Sequence, residues 1–271
     1  MLTQLLSLLL FVFNADRMAT LFVGAMCAVG TLNANAYGFP TLYAKIAVFF
    51  VATMWLILDQ ADRTGRDYPL TRVKYALVTV IVPLVLSASA LELSYFLYLR
   101  ADVITSCCSA EFPPETEGIA AEMSGVGPAA ALMRPAATGA AVAISGAVSH
   151  FFGRGGMVFF AAGAVFFIAA LTAIVSVISG YIYEHPNHHC PFCVLKPEYG
   201  YFGYALYIPL FLGTAFAPGA GALQPCRRIE SLSATLPARL RRHGGAALVA
   251  YVVFGLVMLW TIYRSRLILF G

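Results

Sequence analysis

Long apolar runs separated by short polar breaks dominate the chain, and their lengths decide how each is read. A run of about 20 apolar residues crosses a bilayer as a helix. Met18–Ala36 is the first such run, broken by Gly38-Phe39-Pro40, and Leu42–Leu58 is the second, with Lys45 placed near enough to its end to snorkel toward headgroups. Val73–Leu99 is the third; it contains Pro83 and an intramembrane acid, Glu92. Met157–Tyr183, the shorter Tyr201–Phe216 and Ala246–Tyr263 complete the obvious set. Met1–Phe13 is also apolar, but it stops at Asn14-Ala15-Asp16-Arg17 and has neither a basic n-region nor a small-residue cleavage site. It is expected to be an N-terminal interfacial helix.

Charge changes this count. The segment Arg63–Lys74 and the segment Gln224–Gly245, with Arg227, Arg228, Arg239, Arg241 and Arg242, are both basic, and basic loops resist translocation. Three obvious spans between them would put them on opposite faces, so one more crossing is needed. Ala136–Phe152 is the candidate, an Ala/Gly/Val run whose Gly139, Ala143 and Ala147 suit close helix packing. Its rival reading is a low-complexity surface loop. With the extra span, the acidic loop 100–135 and the loop 184–200 both emerge outside the cytoplasm, and 224–245 faces it. The expectation is one all-α integral membrane domain over 1–271, of about seven transmembrane helices plus the interfacial one. A bacterial-type cytoplasmic (inner) membrane is its expected home.

Composition agrees. Sixty per cent of the 271 residues are hydrophobic and 11% charged, which excludes a soluble domain of this size. The net charge of +4 sits in loops, where it reports orientation rather than nucleic-acid binding. No Walker motif, nucleotide-binding glycine loop or Ser/His/Asp arrangement is visible, so active transport would need a partner or an ion gradient.

The candidate chemistry is concentrated in Glu184-His185-Pro186-Asn187-His188-His189-Cys190-Pro191-Phe192-Cys193, which holds three of the five histidines and two of the six cysteines. A C-x-x-C spacing lets one turn bring two thiols within disulfide reach, and its first thiol often has a lowered pKa that a protonated His188 or His189 would lower further. Cys107-Cys108 is a vicinal pair, able to close a strained, easily reduced disulfide or to bind a thiophilic ion. Glu92 is a candidate for proton uptake or cation passage, or an acid near the interface. His150 falls near the end of Ala136–Phe152, and Cys27 and Cys226 are assigned no role.

Cys190-Pro191-Phe192-Cys193 is similar to the Cys-Pro-aromatic-Cys motif of glutaredoxins. Taken with Cys107 and Cys108, the layout resembles membrane thiol–disulfide oxidoreductases of the vitamin K epoxide reductase and disulfide-bond protein B type. That resemblance implies electrons passing from a partner thiol, through the loop pair, to a C-x-x-C beside a quinone. Cys190 would then be the attacking thiolate and Cys193 the resolving thiol, while Tyr199, Tyr201, Tyr204 and Tyr207 would border the acceptor pocket or form an aromatic belt. The chain departs from that pattern in its span count, in the adjacency of Cys107 and Cys108, and in its histidines.

The competing function uses the same side chains as ligands. His185, His188, His189, Cys190, Cys193, Cys107 and Cys108 offer imidazole and thiolate donors suited to Cu(I), Zn(II) or Hg(II). Cys107-Cys108 also resembles the Cys-Cys of mercuric transport proteins. Expected partners are the lipid bilayer, an extracytoplasmic thiol protein or a metallochaperone, and a membrane complex; no nucleic acid is expected. A third reading is a non-catalytic membrane subunit of a transporter or electron-transfer complex.

Overall fold

A computed structural model of the chain describes residues 1–100, 126–186 and 188–267. The described residues form helices and turns without strands. The long helices are α1 (Leu2–Met18), α3 (Gly38–Asp62), α4 (Thr71–Leu97), α5 (Pro128–Phe152), α6 (Gly156–Tyr183), α7 (Phe202–Gly221) and α8 (Leu236–Arg264); α2 (Ala28–Leu32) is a single short turn. Seven helices are long and apolar enough to cross a membrane, α1 among them once its continuation to Leu21 is included. The protein is therefore an all-helical, multi-pass membrane protein.

The number seven is reached by a different first member. Met18–Ala36 is not one span: it contains a 3₁₀ turn at Ala19–Leu21, an irregular stretch, and α2. Gly24 takes a left-handed φ of 87° and Cys27 an extended backbone, both incompatible with a continuous helix. Polar Thr31, Asn33 and Asn35 interrupt the rest, whereas Leu2–Met18 has no glycine or proline to stop it. In contrast, the run Ala136–Phe152 is a helix, and it starts earlier, at Pro128, where proline's fixed φ suits a first turn. Residues 128–135 thus leave the loop 100–135. Arg239, Arg241 and Arg242 likewise sit in the first turns of α8 rather than in a loop.

Contacts divide the chain, read above as one domain, into two compact units, Met1–Ala110 and Glu111–Gly271. In the first unit α3 packs on α4 and α1 on α3. Buried Phe11 meets Tyr95 edge-on at 5.7 Å, and Tyr95 ties α2 to α4 by donating from its hydroxyl to the Thr31 carbonyl (3.2 Å). Asn35 donates in return to the Tyr95 carbonyl at 2.9 Å.

In the second unit α5, α6, α7 and α8 pack in a ring, each on the next and α8 on α5. Its centre is Tyr251, edge-on to Phe159 and Phe166 and donating to Thr214 Oγ1 at 3.2 Å. A Cβ at Gly163 or Gly213 would come within 2.7 Å of that tyrosine, so these two glycines make the room for it. At the basic end of this unit, Arg227 donates to the Gly153 carbonyl at 2.5 Å, and His150 Nδ1 lies 3.3 Å from the Arg241 carbonyl. The Cys/His segment follows the far end of α6.

Candidate thiol site at the end of the second unit

α6 is not a uniform α-helix. Its turn Ile174–Ile178 is π-helical, a widened turn that re-aims backbone carbonyls and is frequent at functional sites. Ser176 and Ser179 accompany it, donating to the carbonyls of Thr172 (2.6 Å) and Val175 (2.8 Å). The Val175 carbonyl also faces His189 Nδ1 at 3.2 Å. Val175 lies eight residues before the end of α6 at Tyr183, so His189 has returned about 12 Å down the helix. The segment folds back alongside α6.

Irregular backbone packed among helices needs its polar groups satisfied by protein. Two tyrosines do this for consecutive residues. Tyr183, in the last turn of α6, donates to the Cys190 carbonyl at 2.6 Å, and Tyr207, in the second turn of α7, donates to the Pro191 carbonyl at 2.8 Å. Pro191 has no N–H to leave stranded. The chain then closes a 3₁₀ turn at Cys193–Leu195, and the Cys193 N–H points back at Cys190 Sγ, 3.4 Å away. The two sulfurs lie within 4.8 Å of each other, and both residues are buried, Cys190 1% exposed and Cys193 6%.

A backbone N–H aimed at sulfur stabilises a thiolate once formed, against the cost of burying its charge. It is given to Cys190, the residue expected to attack. The help expected from a protonated His189 is absent. Burial, opposed by the bond to the Val175 carbonyl and reinforced by neighbouring His188, lowers the His189 pKa from its ordinary 6.5 and favours the neutral ring. Because a carbonyl can only accept, the bond to Val175 puts the proton on Nδ1 and leaves Nε2 with its lone pair outward.

The three histidines do not form one cluster. His185 is exposed, His188 stacks on Tyr183 with ring centroids 3.9 Å apart, and His189 is bound to α6. Among the described residues, no histidine nitrogen stands within 4.8 Å of both Cys190 and Cys193 sulfurs. Cys107 and Cys108 lie outside the described residues. Of the four tyrosines expected near an acceptor, Tyr207 holds the loop, Tyr199 lines a cavity beside it, and Tyr201 and Tyr204 are exposed in the manner of an interfacial belt.

No family model matches the chain, and neither a curated protein nor a solved structure matches it. The geometry is therefore the whole basis for a functional reading.

Val175, Ser179 and Tyr183 shape the site without standing out in the sequence, while Tyr207, expected to border an acceptor pocket or join an aromatic belt, is found bonded to the loop. Ser176 and Ser179 inside an apolar run were the visible signal, since serines there bond to the preceding turn. Nothing in the one-dimensional pattern distinguishes Tyr207 from its neighbours.

Two outcomes are expected from this arrangement. Tyr183→Phe and Tyr207→Phe each strip a part-buried carbonyl of its donor, a cost of about 1 kcal/mol. Alkylation of Cys190 in the full-length protein should therefore accelerate at least several-fold in each variant, and unchanged rates would show that the tyrosines do not hold the loop. The pH dependence follows from His189. Its folded-state pKa is depressed, so the docked loop is fully favoured above pH 6.5 and loses stability as pH falls through the lower folded value. Cys190 protection should weaken on acidification over that window, and His189→Gln, which keeps a donor but does not titrate, should flatten the profile.

Proposed function

We propose that the chain is a membrane redox protein in which Cys190 and Cys193 alternate between dithiol and disulfide. The observation that carries the reading is the Cys193 N–H directed at Cys190 Sγ, inside a loop pinned by two tyrosine hydroxyls. Closing the bridge moves two sulfurs from within 4.8 Å to about 2.05 Å and releases two electrons and two protons. Starting from the dithiol, the Cys190 thiolate attacks a disulfide and the Cys193 thiol resolves the mixed disulfide, so the acceptor leaves as a dithiol; run in reverse, a dithiol of the exchange pair reduces the Cys190–Cys193 bridge. Cys107 and Cys108 are the proposed exchange pair within the chain, and an extracytoplasmic thiol protein is the outer partner. Burial of both cysteines supports exchange with a segment of the same chain or a small acceptor, because a protein disulfide would need the loop to open.

The site is placed on the extracytoplasmic side of a bacterial-type inner membrane. Support comes from the second unit, where Arg227, Arg228, Arg239, Arg241 and Arg242 gather at the end opposite the Cys/His segment. A second reading, soft-metal transfer, rests on His189: a neutral imidazole with its Nδ1 proton bound to a carbonyl is the usual preparation of a metal ligand.

One experiment separates them. The purified protein is assayed for bound copper and zinc, and its thiols are mapped by mass spectrometry with and without reductant. The redox reading expects a reducible Cys190–Cys193 bridge in metal-free protein and none in Cys190→Ser. A stoichiometric metal ion lost in Cys190→Ser, with the two thiols never bridged, would replace it by the metal reading.

A further inference from the structure

A cavity of about 360 Å³ opens beside the thiol loop, within the second unit, and the redox reading makes no use of it. Its size falls in the ~300–1,000 Å³ range of small-molecule sites. Three charged side chains line it: Glu184, Glu198 and Arg264. Among the described residues no ion pair joins that arginine to either glutamate, although all three border one space. Arg264 is instead held by an aromatic surface: its guanidinium lies 5.2 Å over Trp260, which stacks on Phe202 at 5.6 Å. Tyr199 and buried Tyr181 add further aromatic wall.

The last turns of α6 and α8 both reach this cavity, through Ile182 and Thr261. Helix C-termini present carbonyls with partial negative charge, which favours a cation. Glu184 adds to that side from a left-handed conformation, φ 52°, which a non-glycine residue adopts at a cost. Arg264 supplies the one fixed positive charge, suited to bidentate contact with an oxyanion.

We propose that this cavity binds a zwitterion, with a primary ammonium group received by Glu184 and Glu198 among the aromatic rings and a phosphate-type oxyanion received by Arg264. Two molecules share this chemistry: the headgroup of an ethanolamine phospholipid, and a free aminoalkyl phosphate. Rings that face a cation at close range add cation–π attraction to the carboxylate contacts. Phosphatidylglycerol has no amine and leaves both glutamates unmatched. The charge pattern therefore selects against a purely anionic lipid.

The test uses the full chain carrying Trp55→Phe, so that Trp260 is the sole tryptophan, in bilayers of phosphatidylglycerol. Two additions are compared: phosphatidylethanolamine at rising mole fraction, and free phosphoethanolamine in the water phase. A saturable change in Trp260 emission is expected, and apparent affinity should fall at least tenfold in Arg264→Ala and in the Glu184→Gln/Glu198→Gln double variant. Saturation only with the lipid assigns a headgroup site; saturation with both assigns a soluble zwitterion. All three charged residues are exposed, so these variants should fold, and retained tyrosine-latch protection of Cys190 checks that they do. No saturable response to either addition, or one unchanged in both variants, overturns the proposal.

Discussion

Replacing Glu92 by leucine is expected to destabilise the protein by about 2–3 kcal/mol, because it strips the buried Lys45 ammonium of its counter-ion, discounted for a Glu92 side chain that is 31% exposed. Lys45 is 8 residues into α3 by position and does not snorkel; its side chain is 6% exposed and its ammonium lies 2.8 Å from Glu92 Oε2. Ser7 Oγ at 2.6 Å and the face of Phe11, 5.4 Å from the nitrogen, complete its surroundings. Three helices of the first unit thus converge on one cation. Without Glu92 the charge remains and only neutral groups face it. The measurement is denaturant unfolding of the full chain in micelles, with Lys45→Met/Glu92→Leu as comparison. The double variant should recover most of the loss, since an apolar pair of similar volume is often as stable as the ions. A Glu92→Leu protein as stable as wild type would show the pair to be incidental. The pairing also gives Glu92, a candidate for proton or cation passage or an acid near the interface, a partner within this fold.

The second large effect is expected at the other end of the same helices. Lys74, in the first turn of α4, bridges Asp59 Oδ1 at 2.8 Å and Asp62 Oδ2 at 2.7 Å. Asp62 is fully buried, and its Oδ1 accepts from the Leu70 N–H at 2.7 Å, where α4 begins. Both carboxylates stand in the last turn of α3, whose own dipole is unfavourable to them, so Lys74 and the start of α4 must compensate. Arg63, which reaches Asp59 at 2.8 Å, is largely exposed and contributes little. Lys74→Met should therefore cost about 3–5 kcal/mol, whereas Arg63→Met should change stability by less than about 1 kcal/mol. Equal effects in the same unfolding assay would contradict the assignment of the burden to Lys74.

Much of this was legible in one dimension, for a physical reason. A bilayer accepts only segments whose backbone is internally bonded, so run length and charge alone specify helices and their number. With α1 read as interfacial, that constraint identified five of the seven long helices directly and made Ala136–Phe152 the sixth. It misread the N-terminus because run length does not see φ: Gly24 and Cys27 break a stretch that hydropathy joins. The C-x-x-C pair and its histidines were equally plain as a concentration of rare side chains.

The sequence by itself determined that this is a polytopic helical protein and that its Cys/His-rich segment follows α6. Only the tertiary structure decided that the loop turns back to a π-helical carbonyl, that burial disfavours a charged His189, and that Tyr183 and Tyr207 bond to the cysteine-loop backbone. It alone also showed Lys45 and Glu92 to be partners across two helices. Those facts depend on which groups meet after the helices pack, and hydrogen bonds between residues far apart along a chain leave no periodic trace in it.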